Sequence, residues 1–522
     1  MTPKDRQPGD RRQFLALASR GAAGMIFAPG FIRQDASRPA VAYGTISGDV
    51  TRDRAIVWGR TDRRARMLVE WSTTESFQNV RRLRGPETAE EAGYTARVDL
   101  QVPPGEKIFY RVQFEDLTDS RNLSVPAAGS FLSAPRLARD VTFAWSADTV
   151  GQGWGINHEW GGMRMYETIR RARPDFFIHC GDTIYADAPL PAEMKLPDGT
   201  IWKNLVTPAK SKVAETLDEF RGNHLYNMLD DNVRRFNSEI PQLMLWDDHE
   251  VKNNWYPGMS IDADERYTQK DVRVLAANAR QAFLESTPIR LAPGASTGNG
   301  RIYRSTSYGP LLDVFALDLR TYRAANSANL QAVPGAATTH AGAEQMEWLT
   351  RSLAASKAAW KVIASDLPIG LLVRDGETAF EAIANGDGSP LGREHEIADL
   401  LRFIRRSKIQ NVVWLTADVH YAAAHHYHPD RAQFKDFQPF WEFVAGPLHA
   451  GTGRPSALDN TFGPEVRFVG VPRDLDPLAG PAAGLQFFGM VRISAATRVM
   501  TVSLHNLAGN SIYAVDIEPD RA

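Results

Sequence analysis

The sequence predicts an α/β fold in which a layered domain of sheets and helices is preceded by an all-β, immunoglobulin-like sandwich. Between residues 41 and 134, short alternating runs of apolar and polar residues are separated by turn residues, as in antiparallel strands. From residue 141 onward, apolar strand-like runs alternate with segments of helical period, as in a layered α/β domain. We therefore divide the chain into a signal and linker (1–40), the sandwich (41–134) and the α/β domain (137–522).

Length and composition limit the possible functions. The chain has 522 residues and a formal net charge of −2, so it has room for a large core but no surplus of positive charge for nucleic acid. The single cysteine, Cys180, excludes an intrachain disulfide and a zinc cluster of several thiolates. We expect a globular protein with no specific nucleic-acid binding and no transmembrane segment in its mature form.

The N-terminal residues 1–40 are predicted to be an export signal and a linker. Arg11 and Arg12 precede a modestly apolar run that includes Phe14 and Leu15, and this pattern resembles a twin-arginine signal. Arg20 interrupts the run, which is too short and too polar to span a membrane. We expect the twin-arginine export machinery to deliver the protein to the periplasm or to secrete it. The alternative is a basic N-terminus without a targeting role.

Four strands of the sandwich are predicted from runs in which apolar and polar residues alternate. They are RAIVWGRT (54–61), RMLVEWS (66–72), YTARVDL (94–100) and IFYRVQFED (108–116). No helical period competes with this alternation, which favours an antiparallel sandwich. Residues 133–140 are predicted to link the sandwich to the next domain.

The α/β domain is predicted from apolar runs that each lead into an aspartate, with helices between several of them. The strands are VTFAWSAD (141–148), FFIHCGD (176–182), QLMLWDD (242–248), LLDVFALD (311–318), WKVIASD (360–366) and NVVWLTAD (411–418). The predicted helices are residues 162–175, 342–356 and 396–406. Residues 188–240 and 262–300 are predicted to be insertions over the sheet.

The aspartate at the end of each predicted strand bears directly on function. These residues are Asp148, Asp182, Asp247–Asp248, Asp318, Asp366 and Asp418. One such aspartate is usually a turn or helix cap, but aspartates at six strand ends along one sheet edge would crowd negative charge and shift one another's pKa. Bound cations are the simplest remedy, because carboxylate oxygens suit hard cations.

Neighbouring side chains divide these aspartates into two predicted metal sites. The first site offers two carboxylates, a phenolate and an imidazole, from Asp148, Asp182, Tyr185 and His420. A phenolate favours Fe³⁺, since a strong Lewis acid is needed to keep a tyrosine deprotonated. The second site, Asp182, Asp248 and Asp418, offers oxygen alone and suits Ca²⁺, Mg²⁺ or Mn²⁺ better than Zn²⁺. We expect Fe³⁺ and Ca²⁺, with Asp182 bound to both and with Mn²⁺, Mg²⁺ or Zn²⁺ as alternatives.

The order of these motifs resembles the metallophosphoesterase superfamily, whose usual blocks are DxH, GDxxD, GNH(D/E) and GHxH. Tyr185 in GDTIY looks like the iron site of purple acid phosphatases. The segments FAWSAD, HCGDTIYAD, WDDHEVKNNW, FALDLRTYR and LTADVH together resemble the PhoD-type alkaline phosphatase family. The resemblance covers most of the chain after residue 41, and it implies a metallophosphoesterase-type sheet-and-helix domain with metal-dependent phosphatase or phosphodiesterase activity.

Four positions depart from the patterns of these families. Val150 stands where the superfamily usually has histidine, Asp248 replaces the asparagine of GNH, and Asp418 replaces the first histidine of GHxH. Some PhoD-type members have a cysteine where this chain has Ala147. We therefore assign iron ligation at this point to Asp148.

The resemblance implies hydrolysis of small phosphate monoesters, diesters or both. Two cations would clamp the ester and lower the pKa of a bound water, which attacks phosphorus as hydroxide. His249 would give a proton to the leaving oxygen or stabilise its charge, although it can instead be a ligand or a structural group. Arg320 would hold the phosphate oxygens, although an ordinary ion pair is an equal alternative.

Two other classes of function stay open at this point. One is a metal-dependent hydrolase of another ester, such as a carboxylic ester or a lactone, which only substrate profiling separates from a phosphoesterase. The other is a non-catalytic exported binding protein, which the aromatic-rich composition permits. The strand-end carboxylates favour an enzyme, because a binding module has no use for so many of them.

Overall fold

The computed structural model of the protein describes residues 38–475 and 479–520. The predicted twin-arginine segment with Arg11 and Arg12 lies outside the described residues. The export prediction is therefore not tested by the fold.

Seven short strands form the N-terminal part of the described chain. They are β1 (Thr45–Gly48), β2 (Arg54–Arg60), β3 (Ala65–Ser72), β4 (Arg81–Glu87), β5 (Thr95–Gln101), β6 (Lys107–Asp116) and β7 (Ala127–Leu132). Strands β1, β2 and β5 lie side by side, and β4, β3, β6 and β7 form a second, antiparallel sheet. Val57 and Val98 of the first group share one buried core with Met67 and Val112 of the second. The predicted β-rich N-terminal domain is confirmed.

The remaining strands and the six α-helices of the described residues build the α/β domain. The strands are β8 (Val141–Ser146), β9 (Phe176–Cys180), β10 (Glu193–Lys195), β11 (Ile201–Lys203), β12 (Gln242–Leu245), β13 (Arg304–Ser307), β14 (Leu312–Ala316), β15 (Trp360–Ala364), β16 (Arg374–Asp375), β17 (Ala379–Phe380), β18 (Val412–Thr416), β19 (Ala423–Tyr427), β20 (Phe440–Val444), β21 (Pro464–Val469), β22 (Phe487–Ile493), β23 (Met500–Asn506) and β24 (Ser511–Ile517). The helices are α1 (Arg164–Ala172), α2 (Leu217–Asn227), α3 (Asp231–Glu239), α4 (Val272–Ser286), α5 (Ala343–Ala355) and α6 (Glu394–Arg406).

Two large sheets form the centre of this domain within the described ranges. One has nine strands in the order β24-β23-β22-β8-β9-β12-β1-β2-β5, and the other has seven in the order β13-β14-β15-β18-β20-β19-β21. Their facing sides share one hydrophobic core, and the Trp145 indole of β8 donates to the Thr416 carbonyl of β18 at 3.3 Å. The α/β fold class of layered sheets and helices is confirmed.

The nine-stranded sheet joins the two parts of the chain. Gly48 of β1 pairs in parallel with Gln242 of β12, so strands of the predicted sandwich continue the sheet of the α/β domain. The Asp49 amide also donates to the Gln242 carbonyl at 3.2 Å. The predicted boundary between residues 134 and 137 stays a prediction.

The two predicted insertions contain a hairpin and three helices. Strands β10 and β11 and helices α2 and α3 lie in residues 188–240, and α4 lies in residues 262–300. A capping box of Thr216 and Glu219 stabilises the start of α2, and Asp230 caps α3 by accepting two backbone N–H groups of its first turn. None of the helices in the described part of the chain has the length and apolar character that a membrane-spanning helix requires.

The parallel strands place the predicted site at one edge of each sheet. Strands β8, β9 and β12 run parallel in the first sheet, and β14, β15 and β18 run parallel in the second. Each leads into one of the predicted aspartates within a few residues of its last residue. The two carboxyl edges thus bring these loops together, as is usual for sites in open α/β sheets.

Candidate metal centre

The backbone of the predicted metal ligands has an unusual conformation. Asp148, Asp182, Asp418 and His420 have positive φ angles of 67°, 50°, 67° and 60°. This left-handed region costs an L-residue about 1–2 kcal/mol, although aspartate and histidine adopt it more readily than most residues. Such strain clusters at functional sites, where the surrounding structure holds it in place.

Three overlapping groups of metal-binding side chains meet at this edge. The groups are Asp148–Asp182–His420, Asp182–Asp248–His249 and Asp247–Asp248–Asp418, each with one donor atom per residue within 4.8 Å of the others. Tyr185 adjoins the first group, because its hydroxyl lies 2.8 Å from the His420 Nε2. The structure thus brings all six predicted metal ligands into these overlapping groups and adds Asp247 and His249. No single group contains Asp182 with Asp418, as the second predicted site would require. Their role as ligands stays a prediction.

Several carboxylate oxygens of these groups are buried and have no hydrogen-bond partner among the described residues. They are both oxygens of Asp148, Oδ2 of Asp247 and Oδ1 of Asp248. Burial raises the pKa of Asp148 and of Asp182 well above the usual range, and the Asp248 charge adds to this while His249 opposes it. A buried carboxylate without a partner is costly, and a hard cation among these oxygens removes that cost. The residues therefore fit the expected metals.

His420 is prepared to act as a nitrogen ligand. Its Nδ1 lies 2.5 Å from the Gly451 carbonyl oxygen, which can only accept, so Nδ1 carries the proton. Burial lowers the pKa of His420 to about 4, so the ring is neutral and Nε2 keeps its lone pair. That lone pair faces the Tyr185 hydroxyl and lies 3.6 Å from Asp148 Oδ1. A backbone carbonyl that fixes the tautomer in this way is usual for histidine ligands.

Tyr185 is fully enclosed beside the same carboxylates. Burial raises the pKa of its hydroxyl well above the usual range, and the charges of Asp182 and Asp148 raise it further. The surroundings thus favour the protonated hydroxyl of Tyr185. A phenolate at this position requires a strongly charged cation bound to its oxygen. The Tyr185 ring also packs on His249, with ring centroids 4.1 Å apart.

His249 forms a pair with Asp187, a residue that sequence reasoning left out of the site. The His249 Nδ1 lies 2.7 Å from Asp187 Oδ1, and the other Asp187 oxygen accepts the Asn253 amide at 2.9 Å. Burial alone would lower the pKa of His249, but Asp187, Asp248 and Asp182 hold it well above the usual range. Asp187 thus orients the ring, and the carboxylates around it favour its protonated form. The sequence feature that could have indicated Asp187 is its position in GDTIYAD, five residues after Asp182.

Glu250 is a second residue of the site that sequence reasoning missed. Its side chain is buried and accepts the backbone amides of Asp182 at 3.1 Å, Thr183 at 2.5 Å and Asp247 at 2.7 Å. Burial raises the pKa of Glu250 to about 6, although these hydrogen bonds oppose the shift. Glu250 thus ties the loop after β9 to the loop after β12 and sets the spacing of their aspartates.

Replacing Glu250 with glutamine is expected to loosen the site. The amide NH₂ would face backbone donors that it cannot satisfy, which costs about 1–3 kcal/mol for each buried group left unpaired. We expect a lower melting temperature and a lower metal content in the same preparation. Glu442→Gln is the matched control, because Glu442 is equally buried and accepts the Ile369 amide away from the metal ligands. Equal metal loss in both variants would contradict the proposed role of Glu250.

Arg320 lies beneath the metal ligands in a cage of carboxylates. Its guanidinium has no exposed surface and lies 2.5 Å from Asp247, 3.1 Å from Asp366, 2.5 Å from Glu381 and 3.8 Å from Asp418. Burial lowers the pKa of Arg320, but the carboxylates outweigh it and hold the pKa well above the usual range. This burial argues against the predicted phosphate clamp, because a phosphate in the cleft cannot reach a guanidinium already enclosed by protein. Its geometry favours a role in charge balance.

Two of the strand-end aspartates serve the backbone or Arg320 and belong to none of the three metal-binding groups. Asp318 accepts the Trp246 indole at 2.9 Å and the amides of Arg320 and Thr321 at 3.2 and 2.9 Å. Asp318 is thus a turn cap, as a strand-end aspartate usually is. Asp366 is the ion-pair partner of Arg320.

An open cleft of about 350 Å³ exposes this edge to solvent. Its lining includes five of the predicted site residues, Asp182, Asp248, His249, Asp418 and His420.

A larger cavity of about 720 Å³ lies far from this cleft, at the opposite ends of β15 and β18, near Lys361 and Asn411. Helices α5 and α6 end beside it, and lysines in its lining are favoured by the negative dipole ends of these helices. The cleft is the candidate active site.

Comparisons with known proteins agree with this geometry. The sequence matches the family described as PhoD-like phosphatase over residues 143–504 and its N-terminal domain over residues 27–135. Alkaline phosphatase D of Bacillus subtilis (strain 168) is 26% identical over 453 residues, which cover 81% of this chain and 73% of the relative.

Solved structures show the same fold at lower sequence identity. The structure titled as PhoD has a TM-score of 0.68 and 19% identity, covering 95% of this chain and 94% of the other. The purple acid phosphatase PPD1 of yellow lupin (Lupinus luteus) has a TM-score of 0.58 and 14% identity, covering 92% of this chain and 75% of the other. The metallophosphoesterase-type fold is therefore shared with both.

Proposed function

The chain belongs to the PhoD-like phosphatase family, and on that premise we propose that it is an exported, metal-dependent hydrolase of phosphate monoesters, diesters or both. The observation that carries the proposal is the overlap of three groups of metal-binding side chains at the floor of one open cleft. Hard cations held there would meet a phosphate ester that enters from solvent.

We propose Fe³⁺ at Asp148, Asp182, Tyr185 and His420, and Ca²⁺ at Asp182, Asp248 and Asp418, with Mn²⁺, Mg²⁺ or Zn²⁺ as alternatives. The support is the donor chemistry. The first set includes a phenol and an imidazole, and the second set, whose members the structure divides between two groups that share Asp248, is all oxygen. When bound, such metals supply a water of lowered pKa and neutralise the charge of the phosphate.

The chain's own residues have separate tasks in this proposal. His249 holds a proton on its ring beside the cleft and gives it to the oxygen of the leaving alcohol, while Asp187 orients the ring. Glu250 keeps the two ligand loops at a fixed distance, and Arg320 balances the buried carboxylates. None of these residues binds the phosphate in this proposal. That task would fall to the metals and to groups at the rim of the cleft.

Turnover with and without metal tests the proposed function. Purified protein is assayed with 4-nitrophenyl phosphate, bis(4-nitrophenyl) phosphate and 4-nitrophenyl acetate, before and after treatment with a chelator. We expect hydrolysis of a phosphate ester, its loss on chelation, and its return when metal is added. Activity on the acetate alone would support the rival ester hydrolase, and no activity on any ester would contradict the enzyme assignment.

Replacing Tyr185 with phenylalanine is expected to abolish a visible absorption band and to reduce activity moderately. The change removes one ligand from one metal and leaves the carboxylates in place, so we expect a loss of about 10–100-fold. Absorption spectra and turnover of the same preparation provide the measurement. A wild-type protein that is active, colourless and contains zinc alone would exclude the iron assignment.

Export through the twin-arginine machinery is proposed from Arg11 and Arg12, which precede Phe14 and a weakly apolar run. Replacing both arginines with lysine keeps the charge but removes the pair that the machinery reads. We expect the precursor to accumulate in the cytoplasm, which cell fractionation measures. Unchanged export of the double variant would contradict this route, and the localisation with it.

A further inference from the structure

We propose that Arg374, at the rim of the catalytic cleft, binds a second negative charge on the substrate, so that the preferred esters carry an anionic group beyond the scissile phosphate. The inference rests on the proposed function and adds a substrate class to it. Arg374 is the one lysine or arginine among the described residues that line the cleft. The cleft floor is strongly acidic, so a cation at its rim has a distinct task.

The Arg374 side chain is held in position but is not neutralised. Its guanidinium carbon lies 4.9 Å from the centre of the Phe380 ring, and Nη1 donates to the Glu377 carbonyl at 3.2 Å. It is exposed to solvent and forms no ion pair with a described carboxylate, unlike the buried Arg320. The remaining N–H donors of Arg374 are therefore free to bind a carboxylate or phosphate group, which guanidinium does well.

The hairpin that carries Arg374 is fixed to the metal-binding loops. Strands β16 and β17 form this hairpin, and the next residue, Asp375, accepts the side-chain amides of Asn254 at 2.9 Å and Asn326 at 2.8 Å. The backbone amide of Asn254 in turn donates to Asp248, a predicted metal ligand. Asn254 thus links the hairpin to the Asp248 loop, and Arg374 is presented by a rigid element.

The position of the hairpin indicates which part of the substrate Arg374 meets. Glu381 and Val373 are joined by a backbone hydrogen bond of 3.0 Å, and Glu381 lies beside Arg320 under the Asp418 side of the site. Arg374 follows Val373 and reaches the solvent side of this rim. In the proposed function the metals would bind the phosphate itself, so Arg374 is placed for an anionic group on the organic part of the ester.

A matched pair of chromogenic esters tests this inference. The probes are 4-nitrophenyl phosphate and 3-carboxy-4-nitrophenyl phosphate, which differ by one carboxylate, together with their methyl diesters. We expect Arg374→Gln to lower kcat/KM for the carboxylated ester about tenfold more than for the parent ester. Arg374→Lys should retain part of the preference, and 0.5 M NaCl should reduce it in the wild type, because rim charges are screened.

The control variant is Arg81→Gln. Arg81 is also exposed and stacked on an aromatic ring, with its guanidinium carbon 5.0 Å from the Trp71 ring centre, but it lies on β4 outside the cleft. We expect it to change neither ester. If Arg374→Gln does not change the ratio of kcat/KM between the two esters, the inference about Arg374 is wrong. The proposed phosphoesterase activity would not be affected by that result. A wild type that hydrolyses neither ester would remove the proposed function and this inference together.

Discussion

Asp182→Asn is expected to lower phosphate ester turnover by about a thousandfold or more and to lose metal from both sites. Asp182 belongs to two of the three metal-binding groups, so in the proposed site two cations would share its charge. Asparagine keeps the shape of the side chain and tolerates the φ of 50° at this position, so the backbone should hold. The loss should therefore be one of charge and ligation, seen in metal content and in kcat/KM.

Asp318→Asn is the control for this variant. Asp318 also ends a parallel strand, but its carboxylate accepts hydrogen bonds from Trp246, Arg320 and Thr321. We expect little change in stability, because asparagine retains the Oδ1 acceptor that caps this turn, and we expect metal and specific activity to be retained. If Asp182→Asn instead keeps its metal and normal turnover, GDTIYAD is an ordinary turn and the metal-site interpretation is wrong.

His249→Asn is expected to reduce turnover about 10²–10⁴-fold while metal content stays at the wild-type level. His249 is held by Asp187 at 2.7 Å, and the surrounding carboxylates favour its protonated form, so its proposed task is to give a proton. A proton donor matters most when the leaving alcohol is a poor leaving group. The loss should therefore be larger for an alkyl phosphate than for 4-nitrophenyl phosphate, and steady-state kinetics with both esters measure it.

Asp187→Asn should show the same dependence on the leaving group at a smaller magnitude, about 10–100-fold, because Asp187 acts through His249. Asparagine still contacts the ring but does not hold its charge. The rival is that His249 is a ligand, since it also forms a group with Asp182 and Asp248. If His249→Asn loses as much metal as Asp182→Asn and its turnover falls equally for both esters, His249 is a metal ligand and not a proton donor.

The fold class and the metal-binding edge are predictable because their signals are local. Apolar runs such as those of β9 and β18 are fully buried, and each leads into an aspartate within a few residues. Parallel pairing then places three of these loops at the carboxyl edge of each sheet, although the division into two sheets is not contained in the pattern. Tyr185 and His420 lie close to such aspartates in the sequence, so their membership of the site follows from the same pattern.

The rest of the site depends on contacts that no local pattern contains. Glu250 joins two loops whose strands are far apart in the chain, and Arg320 is enclosed by carboxylates from four other segments. A strand-end aspartate that caps a turn, such as Asp318, looks the same in sequence as one that faces a metal. The C-terminal strands were also missed, since β22 is placed by pairing with the distant β8.

The central claim is that this edge holds two kinds of metal and that turnover depends on them. The most direct test is to determine the metals in natively purified protein by elemental analysis and to follow phosphate ester hydrolysis as they are removed. We predict iron together with calcium, an absorption band that Tyr185→Phe abolishes, and activity that falls in step with bound metal. Full turnover in metal-free protein would contradict the account.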